Sequence, residues 1–72
     1  MKTEIVSILP SGHGHKEVKI RYTNGKEYKH VTNDMTLIDE YNREVFNGAD
    51  LRRQRKARSV LIQRVKHANN LR

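Results

Sequence analysis

Apolar residues recur every second position in the first half of the chain and every third or fourth in the second half. The change of period falls near residue 32 and divides strands from helices. From Glu4 to Leu9 the chain is β-branched and apolar until Pro10-Ser11-Gly12 stops it, which predicts a first strand. Lys16 to Thr23 sets Val18, Ile20 and Tyr22 against Lys19, Arg21 and Thr23, and Lys26 to Val31 returns after Asn24-Gly25. The pattern is that of a hairpin.

The hairpin register follows from the apolar face. A two-residue turn at Asn24-Gly25 would set Ile20 opposite Lys29 and mix the faces. A three-residue loop over Thr23-Asn24-Gly25 sets Tyr22 opposite Lys26, Ile20 opposite Tyr28 and Val18 opposite His30. Val18, Ile20, Tyr22 and Tyr28 then share one side. A slip of one residue would turn every side chain over. The expected turn is therefore type I with Gly25 in the left-handed region as a bulge. The opposite side pairs Arg21 with Glu27 and sets Lys19 against Lys29, a like-charge pair that must be solvated or met by an outside anion.

Thr32-Asn33-Asp34 offers capping oxygens ahead of an apolar pattern at Leu37, Ile38, Tyr41 and Val45, so a first helix is expected over 34–47, ended by Asn47-Gly48. Asp50 is placed as the cap of a second helix. The predicted fold is α+β: a three-stranded antiparallel β-meander followed by two helices (β-β-β-α-α), the second long and basic. It is read as one small domain over 1–72, with the meander at 4–31, helix 1 at 34–47 and helix 2 at 50–70. At 100° per residue, Ala57, Val60, Leu61, Val65, Ala68 and Leu71 fall on the expected core stripe of the second helix. Ile62 stands apart from it and is marked for self-association. Arg52, Arg55, Lys56, Ser59, Gln63, Lys66, His67 and Asn70 form a polar face, with Arg53, Arg58 and Arg64 at its margin.

Charge alters this picture most. Residues 51–72 hold eight Lys or Arg and no Asp or Glu, whereas residues 1–50 sum to −1, giving +7 overall. So uneven a split points to a polyanionic partner. A merely solvated helix mixes both signs, because Glu–Lys pairs support it. Here Arg52 repels Lys56 and Arg55 in the early turns, where the helix dipole offers cations nothing. Arg outnumbers Lys in the segment by six to two, and Arg forks phosphate oxygens and guanine edges where Lys acts as a point charge.

The expected partner is therefore DNA or RNA, bound by Arg52, Arg53, Arg55, Lys56, Arg58 and Lys66. Lys19, Arg21 and Lys29 form a second candidate surface. They are nominated by analogy of fold alone, because small duplex-binding domains of integrases and plant transcription factors share the meander-then-helix order and use a sheet face. The alternative partner is an acidic protein surface that receives the basic helix. With one Phe, no Trp and 35% hydrophobic residues, the core is thin, and pairing as a homodimer would supplement it.

The remaining chemistry is sparse. Without cysteine there is neither disulfide nor thiolate metal site, in keeping with a cytoplasmic, intracellular protein. His13-Gly14-His15 reads as surface imidazoles in a flexible loop, and no metal or cofactor is expected. Ser7, Ser11 and Ser59 lack a nucleophile-elbow context, no phosphate-cradling glycine loop is present, and Asp34, Asp39 and Glu44 do not converge on one helix face. The expectation is no enzyme. The apolar stretch Ile5–Leu9 is too short for a signal-peptide core or a membrane span.

Overall fold

A computed structural model describes residues 2–44 and 47–71 of the chain. Strands β1 (Glu4–Pro10), β2 (Lys16–Arg21) and β3 (Glu27–Thr32) precede helices α1 (Met35–Tyr41) and α2 (Gly48–Ala68). The sheet is an antiparallel meander in the order β1-β2-β3, and both helices lie on one of its faces. The α+β arrangement read from the pattern of the chain is thus the one observed.

The hairpin register is also as expected. Val18 pairs with His30, Lys19 with Lys29, Ile20 with Tyr28 and Arg21 with Glu27. At the turn, the Gly25 amide donates to Tyr22 O at 2.9 Å and the Tyr22 amide to Lys26 O at 2.8 Å. Gly25 has φ of +85°, a conformation that an L side chain adopts only under strain. In β1, a bulge between Ile5 and Ser7 changes the face reached by every later residue. Ile5 and Ile8 are an odd number of residues apart, yet both pack against the core because of it.

The core joins Val18 and Ile20 of β2, Ile38 of α1, and Leu61, Ile62 and Val65 of α2. Ile20 and Val65 are completely enclosed. Two expectations are corrected here. Ile62 is 7% exposed and belongs to the core, whereas Ala68 is exposed and Val60 only half-buried. The helix is turned by about 60° from the expected stripe. The reason is area: the roll exchanges Val60, at one edge of the expected stripe, for the larger Ile62 beyond the other, while Ala68 lies at the end of the helix, and apolar area removed from water is the main driving force. Ile62 is therefore not available for self-association.

The second correction concerns the helix ends. Helix α1 stops at Tyr41, not at residue 47, and the Asn42 amide closes it on Ile38 O at 3.0 Å. Val45 lies outside the described residues. Asn47 does not end a helix but starts one. Its side chain accepts from the Ala49 and Asp50 amides at 3.0 and 3.1 Å, and the Asp50 carboxylate reaches back to the Asn47 amide. Asp50, expected as the cap, is the third residue of this capping box. Asn-Gly spells a helix stop as readily as a start, and only the downstream carboxylate decides between them. At the far end Asn70, with φ of +55°, lets the Leu71 amide reach Lys66 O at 2.7 Å and the Asn70 amide reach His67 O at 3.2 Å, a Schellman closure.

Candidate nucleic-acid interface

Helix α2 is 21 residues long, which gives it a length of about 30 Å. The sheet covers one side of it, and α1 flanks a second through the Gln54 amide bond to Tyr41 O at 3.0 Å and the Arg64–Asp34 pair. What remains open is about half of its circumference. Arg52, Arg53, Arg55, Lys56, Ser59, Gln63 and His67 are exposed there. No carboxylate follows Asp50 in the chain, and Asp50 itself pairs with Arg43.

The basic residues of α2 divide into two groups by what they touch. Arg58 donates to Thr3 O at 3.0 Å and ties the helix to the start of β1. The Arg64 guanidinium donates to Asp34 at 3.0 Å. The Lys66 ammonium lies 5.6 Å from the centre of the Tyr22 ring, a cation–π contact. These three, in the second half of the helix, are spent on the fold. Arg52, Arg53, Arg55 and Lys56, in the first half, make no ion pair among the described residues. They fan from about 40° (Arg55) through 100° and 140° (Arg52 and Lys56) to about 200° (Arg53) around the axis.

Asp34 stands where three elements meet. It caps α1 by accepting from the Leu37 amide at 3.1 Å, and it also receives Arg64. The amide bond first, and the guanidinium second, hold its carboxyl below the ordinary carboxylate range. Its own amide donates to the buried Thr32 hydroxyl at 3.2 Å, which fixes the corner between β3 and α1. Asp34 is one of the three residues expected to offer capping oxygens, but its hold on α2 has no local signature, because the partner lies thirty residues away.

The second candidate surface lies on the opposite side of the molecule. Lys19, Arg21 and Lys29 point away from the helices, since side chains alternate across a strand. Arg21 is clasped by Glu4 at 3.2 Å and Glu27 at 3.1 Å in one row across all three strands. With Glu17 on the same face, three carboxylates stand against three cations, so the sheet face carries no net charge. Lys19 and Lys29 remain as the like-charge pair, the latter exposed. The helix packs on the sheet rather than beside its edge, so the two basic surfaces do not merge.

The three tyrosines are turned inward. Tyr22 and Tyr28 meet edge to face, with ring centres 6.1 Å apart at 89°, and Tyr28 and Tyr41 pack on the core. Among the described residues no group of three or more His, Cys, Asp or Glu is placed to hold a metal ion, and no helix is long and apolar enough to cross a membrane. Comparison with known proteins finds no significant match to a family model, to a curated protein or to a solved structure.

Proposed function

We propose that this protein is a small, non-catalytic, intracellular nucleic-acid-binding module that holds phosphates with Arg52, Arg53, Arg55 and Lys56 of α2. The observation that carries the reading is the division of cations along the helix. Those in its second half have internal partners, and the four in its first half have none among the described residues and are exposed. Crowding them costs the helix a few tenths of a kcal/mol for each i, i+3 or i, i+4 pair, at the end where the dipole opposes them. An anion lying along the open side relieves both penalties. Three of the four are arginines, which fork phosphate oxygens.

The test is binding of a labelled mixed-sequence nucleic acid at about 50 mM salt, with the triple variant Arg52/Arg55/Lys56→Glu beside the native chain. The expected result is a loss of at least tenfold in affinity with thermal stability unchanged or slightly raised, because all three side chains are exposed and carboxylates suit the early turns of a helix. Absent binding, or undiminished binding by the variant, overturns the reading. A captured partner that survives nuclease treatment and is lost in the same variant would replace it with an acidic protein surface. Pairing of two copies through α2, expected from the thin core, is left with Leu51, Val60 and Ala68 for apolar contact now that Ile62 is enclosed.

A further inference from the structure

We infer that the nucleic acid held by α2 is duplex DNA of B form, with the helix laid in the major groove; this rests on the nucleic-acid reading above. Three features of the exposed side of α2 favour a duplex over a single strand. The first is that no stacking platform lies on that side among the described residues. Proteins that hold single strands combine a basic groove with rings on which successive bases stack. Residues 51–72 contain no Phe, Tyr or Trp. Tyr22 and Tyr28 are engaged with each other on the sheet, with Lys66 over Tyr22. Tyr41 packs on the core, in a depression it shares with Arg55 at the margin of the ridge.

The second feature is shape. The cations of the first half stand on the convex side of α2, while Ser59, Gln63 and His67 border a depression shared with His30 of β3. A helix about 10–12 Å across with its side chains matches a B-form major groove about 12 Å wide. The A-form major groove of an RNA duplex is too deep and narrow to admit it.

The third feature is the order of residues around and along the ridge. Arg55 and Arg53 sit at its two margins, about 160° apart, where the walls of a groove present the phosphates of opposite strands. Between them runs one row: Arg52, Lys56, Ser59, Gln63, His67, all exposed. Its first two members are Arg and Lys, and the rest are hydroxyl, amide and imidazole side chains that can hydrogen-bond. Such groups suit base edges on a groove floor, where Gln pairs with adenine through two hydrogen bonds.

The experiment compares three probes of equal length and sequence (duplex DNA, one of its single strands, and the matching duplex RNA) by fluorescence anisotropy at one salt concentration. Duplex DNA is expected to bind at least tenfold more tightly than either. Equal or tighter binding of the single strand or of the RNA overturns the inference and leaves the nucleic-acid reading standing. Failure of all three to bind overturns that reading itself. The variant Gln63→Glu sets a carboxylate against the groove floor without touching the core. It is expected to weaken the duplex at least tenfold at unchanged stability, and an unchanged affinity would overturn the placement of the ridge in the groove.

Discussion

Asp34 is a single carboxylate on which the start of α1 and the later turns of α2 both depend. Its pKa is depressed in the folded chain, so its contribution is fully present above the unfolded value of about 3.9. That contribution is lost as the pH falls through the lower folded value. Asp34→Asn keeps an acceptor for the Leu37 amide but cannot pair with Arg64. The variant is expected to unfold at lower urea concentration than the native chain at pH 7. The two midpoints should converge as the pH falls through the lowered native value, where the native carboxyl is itself protonated. A constant difference across that range would show that the charge is not what matters. At the hairpin, Gly25 is held at φ of +85° with open space around its Cα. Gly25→Ala should therefore cost about 1 kcal/mol through backbone conformation alone, measured by the same denaturation.

Helix α2 is amphipathic with two plausible core lines, and its rotation selects one of them. Ile62 on the chosen line is enclosed among Val18, Ile20 and Leu61, whereas Val60 is only half-buried. Truncation of Ile62 to Ala removes buried methyl groups and leaves a cavity, at a cost of about 2–4 kcal/mol. Val60→Ala should cost less than about 1 kcal/mol. Equal losses at the two positions, by urea denaturation, would mean that the helix sits where the apolar stripe alone puts it. The rotation also decides the fate of the cations. It brings Arg58 over β1 and Lys66 over Tyr22, and it leaves the 52–56 cluster outside.

The whole molecule is a slab of 33 × 32 × 16 Å whose two broad faces differ in charge. One carries the sheet, with its three carboxylates matched to three cations. The other carries α2 and its four unpaired cations. If those four each neutralise one phosphate, the logarithm of the binding constant falls with the logarithm of salt at a slope of about 3–4. Arg52→Ala should lower that slope by about 1, and Lys29→Ala should leave it unchanged. The reverse result would transfer binding to the sheet face.

Some of this was written in the chain itself. Strands and helices showed in the period of apolar residues. The hairpin register was legible because only one pairing gathers Val18, Ile20, Tyr22 and Tyr28 on one side, and Thr32-Asn33-Asp34 was legible as a source of capping oxygens. The basic segment was also plain from residue types. These are local signals, carried by neighbours within a few positions. Four features were not legible. Asn47 reads as a helix end until Asp50 is seen to close a capping box on it. Nothing in Ile5–Leu9 announces the bulge that turns Ile5 and Ile8 to the same side. The Arg64–Asp34 and Arg58–Thr3 contacts join residues far apart in the chain. The last is the roll of α2. Which line of the helix is buried depends on the shape of the sheet and of α1 beneath it. The sequence by itself therefore determined that a basic helix exists, and only tertiary packing decided which of its charges face the solvent. Packing maximises buried apolar area, and charges take whatever side that leaves open.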